Sequence, residues 1–359
     1  MKKISQLSLF AVCFTTTTST TLVLGMNDFA GSDSYLAALC GMLLALPLYV
    51  MAAALRRRFP DKRADEVVLL LFGRVFGRIL LGIYALFSLL TGAILISYVT
   101  RFLLIVGRTS ALAIVFSLLI TLATALTAKS GLAATARLCR LLFPLAAGVL
   151  LLSLLLSFSR FDPAQLLPLL NRPFGDFALG SLSLFFYPFA QALFCMPFLF
   201  RCEAKGVEKP LLASLFCSGA VTALCYALTA GVLGEGCLYA LSYPYYMALS
   251  VLEINSFFQR IEVILSVHFI VGMYLKTCVC LLFCLHSLGG FARVERPERL
   301  APAVAALMLG FSLILFADSA ELLAALRAYP FLAAPFLVIP LFAAWLLSFR
   351  ACKRARNPL

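Results

Sequence analysis

Long apolar runs alternate with short polar connections along the whole chain, and each run is close to the roughly twenty residues a helix needs to cross a bilayer. Ten such runs lie near 4–26, 34–55, 78–100, 110–128, 133–157, 178–200, 210–233, 257–286, 300–318 and 328–349. The pattern predicts an all-α integral membrane protein of ten transmembrane helices. It forms a single transmembrane domain, with one half over about 1–157, a second over about 178–349, and a short basic tail at 350–359. The eighth run is long enough to imply a tilted helix or one that leaves the bilayer.

Charge fixes the expected orientation. With the N-terminus in the cytoplasm, 22 of the 29 Lys and Arg residues fall on the cytoplasmic side and 5 outside, namely Arg101, Arg108, Arg160, Arg172 and Arg327. Arg260 and Lys276 lie inside the eighth run. Basic residues collect on the cytoplasmic side, and one missed span would invert every later loop, so this asymmetry supports both the count and cytoplasmic termini. The net charge of +13 is thereby assigned to topology and not to nucleic acid.

Composition agrees. The 359 residues are 63% hydrophobic and 13% charged, too little polar surface to coat a water-soluble fold. Most of the 12 cysteines sit within apolar runs and no CxxC pair occurs, so they read as small buried hydrophobes and not as metal ligands or disulfides. Met1-Lys2-Lys3 and the run behind it could start a signal peptide, but the Thr/Ser stretch Thr15–Thr21 interrupts the apolar core. The segment is expected to remain as the first span. The stretch DEVVLLLFGRVFGR (65–78) is amphipathic and reads either as a surface-lying helix or as a solvated loop. Tyr243-Pro244-Tyr245-Tyr246 suggests a short interfacial helix on the outer side.

No nucleotide loop, HExxH or nucleophile elbow is present, so no enzyme or cofactor is implied. Broken helices are the better lead, because unwound backbone is tolerated at membrane depth only where it lines a protein cavity. In the first span Thr15–Thr21 can compete with the helix for its carbonyls. In the sixth span Tyr187-Pro188, followed by Gln191, removes a backbone donor. These are equivalent members of two five-span repeats. In the eighth span Gln259, Glu262, Ser266, Lys276 and Thr277 share one face, with Glu262 and Lys276 about 20 Å apart at 1.5 Å per residue. Glu262 could pair with Arg101 or Arg260, and Lys276 could snorkel or meet a carbonyl. His268, on the opposite face, reads as a packing residue.

Several stretches in order carry a family resemblance: KISQLSLF (3–10), RRRFPDKRADEVVLLLFGRVFGR (56–78), YVTRFLLIVGRTS (98–110), GLAATARLCRLLFP (131–144) and YPYYMALSVLEINSFFQRIEVILSVHFIVGMYLK (243–276). Together they resemble the spore germination permeases, the B subunits of nutrient germinant receptors, within the amino acid–polyamine–organocation transporter superfamily. Thr17 and Ser19 stand where that family usually has glycines, and Gln191 and Gln259 stand where it has acids. His268 replaces a common tryptophan.

The resemblance implies a LeuT-type 5+5 inverted repeat with broken helices 1 and 6, in the inner membrane of a spore or cell. It also implies A-type and C-type partner subunits. A small nutrient such as an amino acid would bind at Thr17, Ser19, Thr20, Gly25, Tyr98, Tyr187 and Gln191. Arg101, Arg260, Glu262 and Lys276 would serve as gating or structural polar groups. The alternatives are a secondary transporter of amino acids or small cations, and a ligand-free scaffold for the partner subunits.

Overall fold

A computed structural model describes residues 3–21, 29–107, 110–238, 241, 243–252 and 262–356. The secondary structure of the described residues is helical throughout, apart from a single bridge between Ile4 and Cys202. The helices in chain order are α1 (Gln6–Thr21), α2 (Ser34–Arg58), α3 (Ala64–Phe72), α4 (Arg74–Gly107), α5 (Ser110–Lys129), α6 (Leu132–Ser157), α7 (Phe174–Phe186) and α8 (Met196–Arg201). They continue with α9 (Glu208–Leu233), α10 (Glu235–Leu238), α11 (Pro244–Ser250), α12 (Glu262–Ala292), α13 (Ala301–Ile314), α14 (Ser319–Leu337) and α15 (Ile339–Arg356). Eight described helical segments are long and apolar enough to cross a membrane. Their outward faces carry Leu, Ile and Phe, among them Leu141, Leu155 and Ile314. Such a surface is stable in lipid and costly in water.

The organising element is α12. It packs against α1, α4, α5 and α6, and it is buried along most of its length. Small residues allow this, since lipid supplies no hydrophobic drive between helices and close van der Waals approach must hold them together. Gly272 marks a close crossing, where a β-carbon would lie 2.7 Å from that of Ser19 on α1. A second layer is built by α2 on α7, α9 and α15.

The structure departs from the sequence expectations at four places. Helix α1 winds regularly through the Thr run to Thr21, so the expected break of helix 1 within Thr15–Thr21 is not found. The hydroxyls of Thr15, Thr16, Thr17 and Thr18 donate to the carbonyls of Ala11, Val12, Cys13 and Phe14 at 2.7–3.0 Å. They add to the ladder instead of replacing it. Residues 22–28, including Gly25, lie outside the described residues, as do 253–261, including Arg260.

The third predicted span extends to Gly107 because nothing after Tyr98 stops the helix, so Arg101 is helical. The last predicted span falls on Phe331–Ala351, but the helix leading into it, α14, begins earlier, at Ser319, capped by the Asp318 carboxylate accepting from the Glu321 N–H at 2.8 Å. Finally, α11 does not lie exposed on the outside of the bundle. Tyr243, Tyr245 and Tyr246 at its start are buried in the bundle, and the Tyr245 hydroxyl bonds Ser153 at 3.2 Å. The amphipathic stretch after α2 folds as helix, with α3 resting on α4 and α15.

Candidate functional site

The sixth apolar run breaks where Pro188 predicts. Helix α7 stops at Phe186, Tyr187 is extended, and residues 189–195 form a narrow 3-10 turn before α8 resumes. Proline offers no N–H and its ring excludes a continuous helix. The freed backbone must find other partners in an apolar surround. One of them is Tyr49 of α2, whose hydroxyl donates to the Phe189 carbonyl at 3.3 Å. The Cys195 thiol contacts the Thr16 hydroxyl at 3.7 Å, joining the end of the turn to α1.

Lys276 of α12 reaches this break. Its side chain is fully buried. Nζ donates to the Thr20 hydroxyl at 2.8 Å and stands 4.9 Å from the centre of the Tyr187 ring, a cation–π distance. The other face of the cluster is aromatic. Tyr187 meets Tyr329 of α14 at 5.5 Å, and Tyr98 of α4 lies between Tyr243 and Phe269 at 5.4 and 5.5 Å. Tyr98 and Tyr187 are electrostatic neighbours.

Among the described residues four polar atoms here are buried without a hydrogen bond of good geometry: the hydroxyls of Tyr98 and Tyr187, and both the oxygen and the nitrogen of the Gln191 amide, with Thr20 the hydroxyl neighbour of Tyr187 and Tyr329 that of Gln191. Such groups are rare in native interiors, and each costs about 1–3 kcal/mol when it exchanges water for nothing. Four of them gather in the same cluster as one buried ammonium.

The structure thus brings together Thr20, Tyr98, Tyr187, Gln191 and Lys276. Ser19, next to Thr20 in sequence, faces Gly272, one turn from Lys276 on α12. Thr17 is turned to the Cys13 carbonyl at 2.9 Å, on the same helix. Among the described residues Lys276 bonds a hydroxyl and not a carbonyl, and its side chain stays buried. Arg101 is apart from this cluster and donates to the Phe316 carbonyl at 2.8 Å, tying α4 to the turn before α14. Glu262 is buried at the far end of α12. His268 is buried, with Nδ1 2.9 Å from the Ala146 carbonyl of α6, as a packing residue should be. Sequence reasoning missed Tyr49 and Tyr329, neutral aromatics within apolar runs that carry no charge or proline to single them out.

Two clefts approach the break. One, of about 310 Å³, is lined by Tyr49, Phe189, Ala190 and Cys195 among others. The larger, of about 790 Å³ including its mouth, opens at the basic end of the bundle between α3, α8, α12 and α15 and is mostly apolar. Asp65 and His286 line it; Arg63, beside it, bonds Asp65 at 3.1 Å and approaches His286 at 3.4 Å, while His286 stands 3.7 Å from Glu298. Burial pushes the Asp65 carboxyl above the usual carboxylate range, and Arg63 pulls it only partly back. The expected polar chamber is therefore a closed cluster whose side chains fill the space between α1, α4 and the break.

The family model described as "Spore germination protein" matches residues 3–321. The chain belongs to this spore germination permease family. Among curated protein sequences none matches. Among solved structures the fold is similar to that of Mhp1, a nucleobase-cation-symport-1 family transporter, in a closed conformation with bromovinylhydantoin bound. The TM-score is 0.64 at 14% identity, covering 99% of this chain and 94% of that one. This spore germination protein is thus a multi-pass, all-helical membrane protein with a transporter fold, and its break at Tyr187-Pro188 sits inside the region that defines the family.

Proposed function

We propose that this chain is the membrane subunit of a spore nutrient germinant receptor. It binds a small nutrient at the α7–α8 break and passes the resulting conformational change to A-type and C-type partner subunits. The observation that carries this reading is the set of unpartnered buried atoms on Tyr98, Tyr187 and Gln191, gathered where a transporter-like fold interrupts its sixth apolar helix. A ligand that satisfies those atoms binds one arrangement of the bundle better than others. That differential affinity is what a receptor needs in order to shift a population. Family membership supports the link to germination.

In this reading α1 and the shorter apolar helix Ala113–Lys129 join the eight longer segments as two further spans, giving ten in two inverted repeats. Both termini are cytoplasmic, and the chain sits in the inner membrane of the spore. Thr17, Ser19 and Thr20 contribute from the first span, and Arg101 and Glu262 brace the outer end; the roles expected of Gly25 and Arg260 fall on positions outside the described residues.

The test is ligand-induced thermal stabilisation of the purified full-length protein across a panel of amino acids and other small nutrients, with Gln191→Leu alongside. Stabilisation by at least one member, lost in the variant, is expected. No shift with any member sinks the receptor reading and leaves an anchoring role for the partners. The likeness to a solute transporter favours one rival, secondary transport. Uptake of a binding solute into proteoliposomes containing this chain alone would establish it.

A further inference from the structure

Lys276 has three N–H bonds and, among the described residues, one hydrogen-bond acceptor, Thr20 Oγ1. A second proton faces the Tyr187 ring. Among the described residues no carboxylate lies within 4.0 Å of Nζ. Asp33 accepts from the Leu170 N–H at 3.0 Å, Asp65 pairs with Arg63, and Glu262 is about 21 Å along the same helix. The remaining electrostatic neighbours of Lys276 are the thiols of Cys195 and Cys280. A buried ammonium with such surroundings is costly, and inside a membrane protein such a charge marks a ligand or ion path.

We infer that Lys276 is the anion-recognising residue of the site, and that the ligand of this chain carries a carboxylate which pairs with the ammonium between Thr20 and Tyr187. This deepens the receptor reading and rests on it. The geometry also orients the guest. Its carboxylate lies against α12, and its body lies toward the Gln191 amide, which offers one donor and one acceptor, and the hydroxyls of Tyr98 and Tyr187. No described carboxylate faces that end, so nothing there selects a strongly cationic tail. The class is small monocarboxylates with a neutral or zwitterionic body: α-amino, α-hydroxy or simple short-chain acids.

The experiment compares each acid with its uncharged amide on purified full-length protein: L-alanine with L-alaninamide, L-lactate with L-lactamide, L-asparagine with its α-amide, and propionate with propionamide. Binding is read by thermal shift and titration calorimetry in wild type, Lys276→Met and Gln191→Leu. At least one acid is expected to bind, its amide to bind at least about 100-fold more weakly, and Lys276→Met to erase that preference. Lys276→Met should itself be folded and melt at or above the wild-type temperature without ligand, because a methionine of similar length removes an uncompensated buried charge.

Amides that bind as well as their acids, with binding still lost in Gln191→Leu, would overturn the anion assignment and leave the receptor reading standing. A ligand-free Lys276→Met that melts lower, with the loss reversed by Asp28→Asn or Glu253→Gln, would mean that the chain supplies its own counter-ion, and would also overturn it. No binding by any acid or amide would remove both readings.

Discussion

Gly272 and Ser19 meet so closely that a β-carbon on the glycine would lie 2.7 Å from the serine β-carbon and 3.2 Å from its α-carbon. The second of these is backbone and cannot swing aside. The crossing stands one helical turn from the Lys276–Thr20 hydrogen bond, so the separation of α1 and α12 at this point sets the reach of Nζ.

Gly272→Ala should therefore push α12 off α1. Overpacking of this kind costs about 1–3 kcal/mol, and the melting temperature in detergent should fall accordingly. Ser19→Gly, which removes the facing β-carbon, should recover a measurable part of the loss in the double variant. That gives a coupling energy that a non-local effect would not produce.

Gln191→Leu should raise the melting temperature of the ligand-free protein while removing any ligand response. The amide now carries two buried atoms with no partner, and an apolar side chain of similar length relieves their desolvation cost, about 1–3 kcal/mol. Opposite signs for stability and binding distinguish a functional polar group from a structural one. A fall in both would show that Gln191 holds the break together.

Arg56→Met should destabilise the bundle by about 2–4 kcal/mol. The guanidinium is buried and donates to the Cys202 carbonyl from Nε at 3.0 Å and from Nη2 at 2.5 Å, and to the Pro60 carbonyl from Nη1 at 2.5 Å. It thereby satisfies the C-terminal end of α8, whose carbonyls have no next turn to bond. Arg56→Lys should recover only part of the loss, since a single ammonium cannot span both carbonyls. Denaturation curves of the three proteins check this.

Asp65→Asn should stabilise the protein increasingly as pH rises. Burial holds the folded-state carboxyl above its ordinary range, with Arg63 offsetting only part of the effect. A raised folded pKa means that Asp65 favours the fold while it is protonated in both states. That contribution is lost as pH climbs through the folded value. The amide keeps a polar partner for Arg63 and does not ionise. Melting curves of wild type and variant should converge near pH 4 and separate toward pH 8. Constant separation would mean that the carboxylate is not the titrating cause.

Much of the architecture was legible because helix length in a bilayer is set by one dimension, so runs such as 133–157 and 210–233 announce themselves, and the helices there are Leu132–Ser157 and Glu208–Leu233. Pro188 marked the break, but a missing N–H does not decide it alone, since Pro47 and Pro144 sit inside α2 and α6 without ending them. The Thr run misled because a hydroxyl can either replace a ladder bond or reinforce it, and only the backbone geometry decides between the two. The helical periodicity put Lys276 on the interior face of α12 but could not name what lies across from that face. Its meeting with Thr20 and Tyr187 joins positions 256 and 89 residues apart in sequence, a juxtaposition that depends on how α1 and the break are folded together. Tyr49 and Tyr329 stayed hidden for the same reason.

At the basic end the Ile4 N–H donates to the Arg201 carbonyl at 3.1 Å, and Ile4 bridges to Cys202 beside the Arg56 guanidinium. This peptide-level stitch ties the segment before α1 to the end of α8, beyond the break in the sixth segment, so a displacement of α8 is resisted at Ile4 as well as at Arg56.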